Sequence, residues 1–83
     1  MVRDCSGIDI NELNQGIYWY RKDHNGDYPS YLIMNNESFY LMKRTIDRSF
    51  PLENVLNEGV APTWRGIYIA VCNNLKTGEV DFV

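Results

Sequence analysis

The sequence predicts an α+β fold: a five-stranded antiparallel sheet made of a three-stranded β-meander, a helix and a β-hairpin, with one main helix packed on one face. Three observations carry that expectation. Aromatic and β-branched residues concentrate in short runs at residues 17–22, 28–34 and 38–44, separated by turn-forming Asn and Gly. Residues 49–59 have the apolar spacing and end signals of a helix. Two more strand-like runs, residues 67–72 and 79–83, are joined through Leu75-Lys76-Thr77-Gly78. The chain has 83 residues, enough for a single small domain over residues 1–83 with residues 1–7 as a flexible lead.

A short helical turn opens the domain. Asp9 supplies a capping carboxylate, Glu12 stands three positions on, Ile10 and Leu13 share one side, and Gly16 closes the turn. Ile17-Tyr18-Trp19-Tyr20-Arg21-Lys22 then reads as the first strand and runs into Asp23-His24-Asn25-Gly26-Asp27, where Asn-Gly signals a hairpin. Residues 28–34 form the second strand. Pro29, with no N–H, must point its nitrogen away from the partner or widen the loop. Asn35-Asn36 makes the next turn and residues 38–44 the third strand. In the helix, Ser49 or Phe50 caps, Pro51 takes the first turn, Leu52, Val55 and Leu56 form the buried stripe, and Gly59 stops the run. Pro62 bars continuation. Residues 67–72 are a continuous apolar run suited to a central strand, and Glu79-Val80-Asp81-Phe82-Val83 returns beside it.

Register divides the meander into two faces. With Trp19 opposite Leu32, and Leu32 opposite Phe39, one face gathers Ile17, Trp19, Leu32, Met34, Phe39 and Leu41 as core. The other collects Tyr18, Tyr20, Tyr31, Ile33, Tyr40 and Met42, flanked by Lys22 and Arg44. This second face is the candidate partner-binding surface, because Tyr offers a large, rigid, amphipathic contact at low entropy cost. The competing reading is structural, since cross-strand aromatic pairs also stabilise sheets. Trp64 and Arg65 are a secondary candidate, with Trp64 either capping the core or standing as an exposed anchor.

Eight basic and eleven acidic residues give a net charge of −3, which argues against a duplex nucleic-acid binder. Cys5 and Cys72 fit no disulfide framework or zinc spacing and read as reduced thiols. His24 has no nucleophile beside it in sequence. Asp23, Asn25 and Asp27 open like a calcium loop, but Tyr28 and Met34 occupy the positions that need Gly and a bidentate Glu. The glycines are isolated, so no phosphate loop is expected, and Asn36-Glu37-Ser38 is a coincidental sequon. No metal, cofactor or catalytic set is expected.

These observations describe a non-enzymatic, cytoplasmic protein of accessory or inhibitor type, in the manner of small phage or mobile-element proteins. It would mask the surface of a partner protein, or of a second copy of itself as a homodimer, through the Tyr-rich face. The alternative from another class is single-stranded nucleic-acid binding by stacking on the same face, with Arg21, Lys22, Lys43 and Arg44 near the phosphates. The acidic balance makes nucleic acid the weaker of these partners. No membrane-spanning segment is expected.

Overall fold

Asp9 does cap a helix, and the helix continues well past Gly16. In the computed structural model, which describes residues 1–6, 8–49, 56–57 and 62–83, α1 spans Ile10–Asp23. The Asn11 N–H donates to Asp9 Oδ1 at 2.8 Å. Ile10, Leu13, Ile17 and Tyr20 recur at helical spacing and all turn inward, which makes residues 17–22 helix instead of the expected strand. Their aromatic content expressed only a weak β preference, and tertiary packing overrode it. The Asn-Gly pair ends this helix instead of making a hairpin. His24 and Gly26 donate their N–H groups to the Arg21 carbonyl at 3.2 and 2.7 Å, with Asn25 left-handed at φ 56°.

Asn35 likewise caps a helix where a turn between strands was expected. Its Oδ1 accepts from the Ser38 N–H at 2.7 Å and opens α2, Asn36–Ser49. Residues 38–44 are therefore helical, with Ser38 and Met42 one turn apart and fully buried. Of the helix expected over residues 49–59, Ser49 ends α2 and Leu56–Asn57 are strand. Its other residues lie outside those described.

The strands are β1 Val2–Asp4, β2 Tyr31–Met34, β3 Leu56–Asn57, β4 Thr63–Trp64, β5 Ile67–Val71 and β6 Glu79–Phe82. They form one sheet in the order β1-β6-β2-β5-β4-β3. The α+β class is as expected, with two differences in the sheet: it has six strands, and β2 and β5 run parallel. Residues 2–4, expected to be flexible, are an edge strand pairing Val2 with Asp81 and Asp4 with Glu79. β5 and β6 do not pair as a hairpin, because β2 lies between them and pairs with both. A tight hairpin joins β4 to β5 through Arg65-Gly66, both left-handed at φ 53° and 81°, and β3 pairs antiparallel with the other side of β4.

One face of the sheet presents Leu32, Met34, Trp64, Ile67, Ile69, Val80 and Phe82 to the core, where Leu13 and Ile17 of α1 and Met42 of α2 join them. Leu32, Met34 and Ile17 are core residues as expected, and Phe39 and Leu41 pack at its margin from α2. Trp19 instead lies exposed on α1. Two contacts set how closely the layers approach. The Phe82 ring lies directly against Gly16, and the Gly78 N–H donates to the buried Ser38 Oγ at 2.9 Å. Ile8 is fully buried although its φ is +63°, a conformation that costs a β-branched residue about 1–2 kcal/mol. Burial of its side chain is of similar size and offsets that strain.

Candidate functional site

The folding of residues 17–22 and 38–44 as helices disperses the predicted Tyr-rich face. Tyr18 is exposed on α1, edge-on to Trp19 with ring centroids 5.3 Å apart. Tyr20 is half-buried and stacks on His24 at 3.9 Å, while the Tyr20 carbonyl lies 2.8 Å from His24 Nδ1. Tyr40 is exposed on α2 with the Arg44 guanidinium 5.9 Å from its ring centroid. Met42 is 0% exposed and belongs to the core. Lys22 sits 5.0 Å from the Trp19 ring. Tyr31 and Ile33 remain together on β2, both directed away from the helices, while Tyr40 with Arg44 on α2 and Tyr18 with Lys22 on α1 form separate groups. Trp64 is fully buried, in the capping role, and Arg65 is exposed beside it.

Tyr31 and Ile33 have new neighbours on the outer sheet face. Strand pairing aligns Thr63, Tyr68 and Tyr31 in one row and Ala70, Ile33, Asp81 and Val2 in the next. The Tyr31 and Tyr68 ring centroids are 5.8 Å apart at 32°, and the two residues stay 46% and 49% exposed. Tyr68 was missing from the predicted surface. Its signal was the alternation Ile67-Tyr68-Ile69-Ala70, which places Tyr68 opposite the core once the strand is half-covered. Beyond Ile33 the face becomes acidic, with Asp81, Glu79 and Asp4 on the same side of β6 and β1. The Met1 ammonium holds Asp81 at 2.8 Å.

A second surface lies at the C-terminal half of α1. A groove of about 380 Å³ is lined by Asn14, Ile17, Tyr18, Arg21, Tyr28 and Arg65. It adjoins another of about 370 Å³ that shares Tyr18 and Arg21 and adds Lys22 and Gly26. Arg21 is fixed in place: its Nε donates to the Gly26 carbonyl at 2.9 Å and its guanidinium lies 4.2 Å from the Tyr28 ring centroid. Among the described residues Arg21, Lys22 and Arg65 make no ion pair, whereas Arg3 is paired with Glu12 at 3.1 Å.

The two thiols differ in environment. Cys5 is fully buried, its N–H donating to the Gly78 carbonyl at 2.7 Å, and burial pushes its pKa from 9.0 up to about 11. Cys72 is half-buried and also free. A thiol reagent at neutral pH is expected to modify Cys72 while Cys5 reacts only on global unfolding. Between pH 9 and 11 the unfolded chain releases the Cys5 proton and the folded one keeps it. Stability therefore falls as pH rises through that window, by up to about 2–3 kcal/mol. Urea titrations across this range, on the parent and on Cys5→Ala, check it: the decline should be absent from the variant.

No helix among the described residues is long and apolar enough to cross a membrane. The chain matches no protein-family model, no curated protein and no solved structure.

Proposed function

We propose that this is a non-enzymatic binding protein of accessory or inhibitor type that masks a partner protein's surface with its outer sheet face. The supporting observation is the exposed Tyr31–Tyr68 pair, seated with Ile33 and Ala70 on the face turned away from the helices. Such a patch carries the residue type enriched at the centres of protein interfaces. The pair sits on two hydrogen-bonded strands, so little side-chain and backbone freedom remains to be lost on binding. Asp81, Glu79 and Asp4 border the aromatic residues on one side, which favours a partner with an apolar centre and a basic border. Like charges on this border work against a second copy docking on the same face.

The experiment compares two baits, the parent and Tyr31→Ser/Tyr68→Ser, in lysate of the cells that express the protein. Both side chains are about half exposed, so the variant should keep its fold and its Tm. A protein retained by the parent and lost by the variant is the expected result, with retention weakening as salt screens the acidic border. Equal retention by both baits, or none by either, would overturn the reading. Light scattering that showed a dimer dissolved by the double substitution would assign the face to a second copy.

A further inference from the structure

Arg65 occupies a backbone position that suits it poorly. In the two-residue turn between β4 and β5, φ is +53° at Arg65 and +81° at Gly66, a pairing that Asn-Gly or Gly-Gly adopts with least strain. A bulky residue held in the left-handed region costs of order 1 kcal/mol, and such strain collects where a side chain has work to do. The Arg65 guanidinium lies 5.0 Å from the Trp64 ring and contributes to the wall of the groove above α1. Arg21 lines the same groove, its Nε donating to the Gly26 carbonyl.

In a chain with an acidic excess, this groove has two guanidiniums in its lining and no carboxylate. Arg21 and Lys22 fall in the last turn of α1, where part of their charge offsets the helix dipole. No helix end accounts for Arg65. Arg65 therefore adds positive charge to the groove beyond what the helix end calls for, and does so from a backbone position that disfavours it.

We infer that the groove binds the phosphate of a nucleotide, with Arg21 and Arg65 on the oxyanion and Tyr18 or Tyr28 beside the base. Guanidinium forks match phosphate oxygens, and aromatic rings and Arg planes are the surfaces on which unpaired bases stack. The volume of about 380 Å³ lies within the range of small-molecule sites, roughly 300–1,000 Å³, and is more than a bare phosphate fills. The adjoining groove shares Tyr18 and Arg21 and adds Lys22, so a single strand has somewhere to continue. None of the groove residues lies on the outer sheet face, and the site stands independently of that surface.

Titration of the isotopically labelled full chain by NMR tests the inference, with adenosine monophosphate, a short oligothymidylate, inorganic phosphate and oligoglutamate as probes. Shifts at Tyr18, Arg21, Gly26, Tyr28 and Arg65 are expected with the first two. Affinity should be at least about tenfold above that for inorganic phosphate and should fall with salt. A free nucleotide as the ligand predicts similar affinity for the monophosphate and the oligomer, and a single strand predicts a clear gain for the oligomer. Arg65→Gly separates binding from folding: it should leave Tm unchanged or raise it, yet lower nucleotide affinity about tenfold or more. Lys76→Ala, at an exposed cation in another turn, should change neither. No binding of either nucleotide probe, equal binding of inorganic phosphate or oligoglutamate, or unchanged affinity in Arg65→Gly would each overturn the proposal.

Discussion

Gly16→Ala is expected to destabilise the fold by about 2 kcal/mol, the opposite of what this substitution does in an ordinary helix. In an exposed helix interior Ala is favoured over Gly by about 1 kcal/mol. Here an added Cβ would stand 2.5 and 2.8 Å from Phe82 Cε1 and Cε2, and closer still to Cζ. Phe82 is 1% exposed and wedged among core residues, so its ring cannot step aside without disturbing them. Overpacking of this kind costs about 3 kcal/mol at the upper end of its usual range, which the gain in helix propensity only partly offsets. In a domain of this size, a loss of about 2 kcal/mol lowers Tm by roughly 8–16 °C. Phe82→Leu in the Gly16→Ala background should recover part of it, because the two positions share one space and their effects do not add. Denaturant unfolding of the four chains measures both quantities. A neutral or stabilising Gly16→Ala would show that the helix and β6 are not in this contact.

Trp64→Ala should be more damaging still, and Trp64→Phe far less so. Trp64 is the largest of the fully buried side chains, at the junction of β4 with the core. Truncating a buried Trp to Ala costs about 3–5 kcal/mol. A chain of 83 residues has a total stability of only about 4–12 kcal/mol at the usual density per residue, so this one change consumes a large part of it. The indole Nε1, however, is buried with no hydrogen-bond partner among the described residues. An unsatisfied buried donor costs about 1–3 kcal/mol, and Phe removes it while keeping most of the ring. Trp64→Phe is therefore expected within about 1 kcal/mol of the parent, the lost ring volume and the relieved donor nearly cancelling. Equal destabilisation by Ala and Phe would mean that the donor is satisfied and that the whole indole is required.

Local signals located breaks and caps in the chain correctly, though not always the element on either side of them. Asp9 caps a helix and residues 31–34, 67–71 and 79–82 are strands, whereas Asn25-Gly26 turns the chain at a helix end and not in a hairpin. Some of the assignments that failed depended on partners distant in the chain and others on which of two local readings packing selects. Gly16 resembles a helix stop, and accepting it as one severed the helical series Ile10, Leu13, Ile17 and Tyr20. The reason for a glycine there is the Phe82 ring, which no window around residue 16 contains. Residues 38–44 alternate well enough to pass for a strand, but Asn35 capping through Ser38 and the burial of Ser38 with Met42 commit them to a helix. The candidate surfaces follow the same division. Tyr31 and Ile33 could be read from alternation within β2, whereas Tyr68 joins them only through the parallel pairing of β2 with β5. Arg21 and Arg65 line one groove for the same reason: the fold brings the hairpin that carries Arg65 beside α1.

The position of β6 also bears on how the chain reaches this structure. It follows every other strand in sequence, yet it lies between β1 and β2 and joins them. β1 therefore has no place in the sheet until β6 has added to β2, and the Gly16–Phe82 contact forms only with that same addition. Long loops must close before these contacts repay the entropy, and sheets dominated by such pairings fold over milliseconds to seconds. The arrival of the last strand is therefore the step expected to limit folding, and destabilising substitutions in β6 that slow refolding more than they speed unfolding would show it.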